Sequence, residues 1–327
     1  MVYRIVVPLD GSPASEQALP VALGIAQRDR AAIELVHVHE SLPPYRTQGA
    51  PTLDPGLDDE LRKGGERYLE AVARRLRQNT GVEARHTLLD GPISATLAEH
   101  IKTQRADLVV MTTHGRSGLS RMWLGSTAVD MVRRLECPVL LVRPDESAKA
   151  TTAHEPSRSF QRTLLPLDGS PAAEAAIDHA LAVVGDVGAF VLLHVMLPLM
   201  YFAPEPSSLV YPDETEMQTA TEDYLQRVAA PMRARGMDVE THVVRHPVPA
   251  RAIVDFAESS GVDLIAMETH GRTGVSRLLM GSVADKVVRS APVPVLVHRP
   301  PSESKSERGA AIGEQPGELV ESGAPRS

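Results

Sequence analysis

The chain carries the same set of motifs twice. Val7-Pro8-Leu9-Asp10-Gly11-Ser12-Pro13-Ala14 returns 158 positions later as Leu165-Pro166-Leu167-Asp168-Gly169-Ser170-Pro171-Ala172. Thr113-His114-Gly115-Arg116-Ser117-Gly118 returns 156 positions later as Thr269-His270-Gly271-Arg272-Thr273-Gly274, and Leu124-Gly125-Ser126 returns as Met280-Gly281-Ser282. Solenoid repeats run about 20–50 residues, so a period this long marks a duplicated domain. The 327 residues are also about twice an ordinary domain's length.

Within each copy, short apolar runs alternate with segments of helical spacing. Arg4–Leu9 and Leu108–Met111 read as strands buried on both faces. Ile33–His39 and Val139–Val142 read as further strands, and the alternating Val82, Ala84, His86 and Leu88 as a half-exposed strand near an edge. Ser12 is suited to cap a helix with Pro13 in its first turn, and Ala14, Ala18, Leu19, Ala22 and Ile25 then recur at helical spacing. Further helices are expected at about 57–78, 95–103 and 126–135, and Pro231 is expected to bend the long helix of copy two. Such alternation gives an α/β fold: two tandem doubly wound domains, each a five-stranded parallel sheet in the order 3-2-1-4-5 with helices on both faces. The expected boundaries are residues 1–144 and 160–300, joined by a polar linker at 145–159. Residues 301–327 are rich in Ser, Glu, Gly and Pro, and are expected to be a disordered tail.

Charge and composition exclude several classes. The first 150 residues balance 19 basic against 19 acidic side chains, so the formal net charge of −8 belongs to the rest of the chain. Neither half is basic, which argues against a nucleic-acid partner. Aromatics at 3% offer little surface for stacking single strands. The single cysteine, Cys137, excludes an internal disulfide framework and a cysteine zinc site, and suits a reducing compartment. The apolar N-terminal run closes at Asp10, too early for a signal peptide, and the longest apolar stretch, at 187–200, contains His194 and Pro198 and is too short for a membrane span. A cytoplasmic protein without a membrane partner is expected.

Ligands of open parallel sheets sit at the carboxyl ends of the strands, where the winding reverses. Two loops per copy fall there. One holds Asp10-Gly11-Ser12, the other runs from Thr112 through Gly115 and Gly118 to Gly125-Ser126. Glycines let the backbone approach an anion, and a helix opening at Gly125-Ser126 offers free N–H groups and a favourable dipole. Ser126 and Thr127 add hydroxyl donors, and Arg116 and Arg121 add countercharge. An ionised Asp10 only accepts hydrogen bonds, which suits a base amino group or a ribose hydroxyl rather than a phosphate.

In these motifs the sequence resembles two tandem universal stress protein domains, over roughly residues 2–144 and 161–300. The nucleotide binders of that family carry Gly-x2-Gly-x9-Gly-[Ser/Thr]. Copy one reads Thr112-x2-Gly115-x9-Gly125-Ser126 and copy two Glu268-x2-Gly271-x9-Gly281-Ser282, so the spacing is kept while the first glycine is replaced in both. The resemblance implies an ATP site in each copy, with Mg²⁺ accompanying the triphosphate. It implies that Asp10 and Asp168 contact the adenine end, that Val38 and Val195 offer a backbone adenine contact, and that Met111–Thr112 and Met267–Glu268 line the ribose edge. It assigns Gly115, Gly125, Ser126 and Thr127 to one phosphate cradle, and Gly271, Gly281, Ser282 and Val283 to the other. Family members pair through the last strand, which implies that the two copies pack as an intrachain pseudo-dimer and that the chain forms a homo-oligomer, a dimer. A carboxylate at Glu268 would repel a triphosphate unless it turned away, bonded a hydroxyl or helped hold a metal. Charge repulsion therefore ranks copy one ahead of copy two.

Plainer roles stand beside these. Asp10 and Asp168 also suit turns that cap the next helix, and the loop glycines also suit tight turns. His114 and His270 read as structural histidines, because no acidic partner or nucleophile lies beside them in sequence. Arg116, Arg121, Arg272 and Arg277 read as solvated charges, Cys137 as a small buried hydrophobe, and His37 and His194 as packing residues with no metal ligand spaced with them. The chain contains neither Gly-x4-Gly-Lys-[Ser/Thr] nor, after its first strand, Gly-x-Gly-x-x-Gly, which disfavours a P-loop NTPase and a dinucleotide dehydrogenase. With no catalytic residue or metal-ligating set identified, the expectation is an ATP-binding stress-response module with at best slow hydrolysis. A non-nucleotide interaction module and a weak ATPase remain the alternatives.

Overall fold

A computed structural model describes residues 2–41, 55–114, 124–145, 160–186, 188–198, 213–269 and 280–299. Copy one runs β1 (Arg4–Pro8), α1 (Pro13–Glu16), α2 (Leu19–Asp29), β2 (Ala32–His39), α3 (Pro55–Thr80), β3 (Ala84–Asp90), α4 (Ile93–Thr103), β4 (Leu108–Thr112), α5 (Ser126–Arg134) and β5 (Val139–Val142). Copy two runs β6 (Arg162–Pro166), α6 (Pro171–Val184), β7 (Ala189–Met196), α7 (Glu214–Ala234), β8 (Asp238–Arg245), α8 (Pro249–Ser259), β9 (Leu264–Glu268), α9 (Ser282–Ser290) and β10 (Val295–His298).

The copies differ at their first helix. Ser12 caps α1 by accepting from the Ser15 N–H, and Ser170 caps α6 in the same way from Ala173. The single helix expected after Ser12 is nevertheless split into α1 and α2, whereas α6 is continuous. Pro20 stands in the first turn of α2. It has no N–H to return to the preceding turn, so the helix restarts around it. The position 158 residues on is Asp178, which lets α6 run through.

Each half has the expected strand order, and the two halves share one sheet. The order is β3-β2-β1-β4-β5-β10-β9-β6-β7-β8. Pairing is parallel within each half and antiparallel at the one seam between them, where Val295, Leu296 and Val297 face Leu141, Leu140 and Val139. The last strand of each copy thus has its edge covered by the other, which removes an apolar edge that would otherwise invite association.

Residues alternate between the two faces of the sheet. Ile5, Val7, Leu108, Val110, Leu264, Ala266, Leu140 and Leu296 enter a core with α2, α3, α6 and α7. Val6, Val109, Met111, Ile265, Met267, Val139 and Val297 enter a second core with α4, α5, α8 and α9. Both cores run through both copies. Asp145 is tied back to Gln17 by two hydrogen bonds, at 2.6 and 3.0 Å. The remainder of the expected linker up to 159 and the expected disordered tail at 301–327 lie outside the described residues. Among the described residues, no helix is long and apolar enough to cross a membrane.

Candidate functional site

The winding reverses between β1 and β4 in copy one and between β6 and β9 in copy two. The loop after β1 is pinned at its start by the Leu9 N–H, which donates to Val36 at 2.8 Å, and Leu167 repeats this bond to Leu193 at 2.8 Å. Asp10 Oδ1 then accepts from the Ser12 N–H at 2.9 Å and from the Ser12 hydroxyl at 2.6 Å. Asp168 does the same with Ser170, at 3.0 and 2.6 Å. One carboxylate oxygen of each aspartate therefore fixes the turn and orients the serine that caps the helix. His37 donates from Nδ1 to the Leu9 carbonyl at 2.7 Å, tying β2 to the same loop, in keeping with its structural reading.

The second loop is pinned at both ends. The Gly125 N–H donates to the Thr113 carbonyl at 2.8 Å, and Gly281 repeats this to Thr269 at 2.8 Å. A Cβ on Gly125 would lie 3.0 Å from that Thr113 oxygen, so glycine is what allows the close approach. Gly125 and Gly281 occupy the N-cap positions of α5 and α9 with extended backbones, and neither helix has a side-chain cap among the described residues. The first-turn N–H groups of α5 and α9 are thus directed to the loop end of the sheet, as an anion site requires.

The other expected contacts fall around these loops. Val38 and Met111 of copy one, and Val195, Met267 and Val283 of copy two, belong to the core under α4, α5, α8 and α9. Ser126 and Ser282 are exposed, and Thr127 is half-buried. Thr112 is buried and its hydroxyl donates to the His114 carbonyl at 2.8 Å. Gly115 and Gly271, together with Gly118, Gly274, His270 and the four loop arginines, lie outside the described residues. Cys137 is half-buried, and burial pushes its thiol up to about 11, which keeps it protonated and unreactive.

Glu268 departs from expectation. By strand alternation it shares the face of Leu264 and Ala266, so its side chain enters the core under α6. Both of its carboxylate oxygens lie 3.0 Å from His298 Nδ1, and Oε1 lies 3.8 Å from His179 Nε2. His298 Nε2 lies 2.9 Å from the carbonyl oxygen of Glu136, which belongs to copy one. The carboxylate expected to oppose a phosphate is instead turned away and held by an imidazole, which removes the charge argument for ranking the two copies. Sequence reading also missed that His179, Glu268 and His298 converge. The repeat holds a signal for it, since the matching positions in copy one are Val21, Thr112 and Val142.

The universal stress protein family model matches residues 1–143 and 159–299. A universal stress protein of Mycolicibacterium smegmatis is 30% identical over 302 residues, covering 91% of this chain and 97% of that protein. One of Mycobacterium tuberculosis is 31% identical over 323 residues, covering 91% and 96%. The crystal structure of a universal stress protein from Archaeoglobus fulgidus superposes with a TM-score of 0.64 at 20% identity, over 92% of this chain and 97% of that one, which supports the fold. With the family model matched twice and in order, the chain belongs to the universal stress protein family, in a tandem two-domain form.

Proposed function

We propose that the protein is an adenine-nucleotide-binding module of the stress response, taking ATP at the strand ends of its halves. The observation that carries this reading is the repeated pinning of the glycine loop. In each copy a glycine N–H closes onto the threonine carbonyl after the fourth strand and opens a helix that has no side-chain cap among the described residues. A cradle that a single Cβ would crowd fits a phosphate group approaching the backbone. Ser126 and Thr127, and in copy two Ser282, supply hydroxyl donors, and Mg²⁺ would arrive with the triphosphate, held mainly by its oxygens. With Glu268 paired, the preference for copy one rests on its extra hydroxyl, Thr127 against Val283. Binding would stabilise the ligated conformation and so act as a signal through population shift. A cytoplasmic setting and further pairing into a homodimer accompany this reading.

A second reading is an interaction module whose loops only build the fold. It is favoured by Asp10 and Asp168, whose Oδ1 atoms already serve the helix cap. Denaturing the purified protein and chromatographing the released small molecules separates the two, followed by titration of the emptied protein with ATP and Mg²⁺. Bound adenine nucleotide, or ATP affinity tighter than millimolar, supports the first reading. Neither result leaves the interaction module.

A further inference from the structure

His298 carries its proton logic on its two neighbours. Nε2 faces the Glu136 carbonyl oxygen, which can only accept, so Nε2 bears a hydrogen. Nδ1 faces the two oxygens of Glu268, each at 3.0 Å. A bare nitrogen lone pair and a carboxylate do not meet at this distance without a cation between them, either a proton or a metal ion. His179 leans over the same place from α6, its ring centroid 3.7 Å from that of His298 and tilted by 37°. The donor atoms of His179, Glu268 and His298 all lie within 4.8 Å of one another.

We propose that His179 Nε2, His298 Nδ1 and the Glu268 carboxylate form a site for a divalent first-row transition ion, zinc(II) by preference, with water as the fourth ligand. Two imidazoles and a carboxylate with one open position are a zinc donor set, and imidazole favours such ions over magnesium or calcium. A metal-bound histidine commonly donates its other ring N–H to a carbonyl, as His298 does to Glu136. The His179 side chain is 29% exposed, against 1% for Glu268, so an ion would enter past α6. To ligate, the His179 ring must swing off its stack on His298, from a centroid separation of 3.7 Å to about 5 Å, and close its 3.8 Å contact with Glu268 to the tetrahedral edge of about 3.3 Å. The duplicated half acts as a built-in comparison. Val21, Thr112 and Val142 hold the matching places without an imidazole or carboxylate among them. Because Glu136 belongs to copy one, a bound ion would also brace the seam between the halves.

This proposal does not rest on nucleotide binding, and its test omits ATP. The full chain, freed of tags and stripped with chelator, is titrated with Zn²⁺ by calorimetry and with Co²⁺ by visible absorption. One equivalent per chain is expected, with the d–d bands of a four-coordinate ion and a raised Tm in Zn²⁺. H179A is expected to weaken binding at least tenfold, with its Tm in chelator close to that of the parent chain. E268Q should weaken binding similarly, while H246A, on the loop after β8 at the sheet's far edge, should not. Should E268Q fail to fold, the part-exposed His179 decides the matter. No stoichiometric uptake, or uptake unchanged in H179A, would overturn the proposal and leave a proton as the bridging cation.

Discussion

Arg143 of copy one donates from Nη2 to the carbonyl oxygen of Arg289 in copy two, at 2.5 Å. It also reaches Ala291 from Nη1 at 3.2 Å. The relation is reciprocal. Arg299, 156 positions after Arg143, donates to the carbonyl of Arg133, which is 156 positions before Arg289. Each arginine grips the C-terminal end of the other half's last helix, α9 or α5, where the helix dipole is negative and carbonyls lack intrahelical donors. R143A is therefore expected to lower stability by about 1–2 kcal/mol, read as a lower midpoint in urea unfolding. An unchanged midpoint would show that the clamp adds nothing to the seam.

Across that seam Leu296 stands opposite Leu140, and both are buried in the core that runs under α2 and α6. L140A and L296A should each cost about 2–5 kcal/mol. Because they share one packed space, their costs should fall short of additive by about 0.5–3 kcal/mol in a double-mutant cycle. Strict additivity would mean that the two leucines are not energetically coupled across the seam.

Gly125 and Gly64 make a matched pair. A Cβ at Gly125 meets the Thr113 carbonyl oxygen at 3.0 Å, whereas at Gly64, within α3, it meets nothing within 4 Å. G125A should lower Tm and weaken ATP binding in copy one, because the loop end must shift. G64A should raise stability by about 1 kcal/mol through helix propensity and leave ATP affinity alone. Calorimetric titration of both variants checks the contrast.

Ser12 and Asp10 share hydrogen bonds but should differ in consequence. S12A removes the α1 cap and should cost about 1 kcal/mol with ATP binding largely kept. D10A should remove most ATP binding in copy one. Equal losses of binding in the two variants would reduce Asp10 to a turn residue.

On β8, Glu240 is held by bidentate hydrogen bonds from Arg162, at 2.7 and 2.6 Å, and by His242. The Arg162 hydrogen bonds, aided by His242, lower its carboxyl from 4.5 to about 2. A lowered folded-state value stabilises the fold fully above pH 4.5, and that contribution fades as the pH falls toward 2. E240Q should thus lose stability near neutrality, by at most about 1 kcal/mol for so exposed a pair. Its curve should converge on the parent chain's between pH 4.5 and 2 in acid titrations followed by circular dichroism.

Much of the fold was legible because its signals are local and occur twice. Apolar runs such as Val109–Met111, the cap at Ser12 and the returning Asp-Gly-Ser-Pro motif each depend on a few neighbouring residues, and the strand order in each half followed from them together with the family resemblance. The break at Pro20 was written in the sequence too, but the apolar periodicity running through it masked the missing N–H.

The sequence by itself determined the duplication, the α/β class, the strand order and the loops at the carboxyl ends of the strands. Only the tertiary structure decided where Glu268 points. It sits next to Met267 in the chain, yet the pleat sends the two side chains to opposite faces, and its histidines come from α6 and β10, with Glu136 behind them from the other copy. A contact among groups 30, 89 and 162 positions apart leaves no local pattern to read. It exists because one antiparallel seam joins two parallel sheets and brings the end of β10 beside the start of β5.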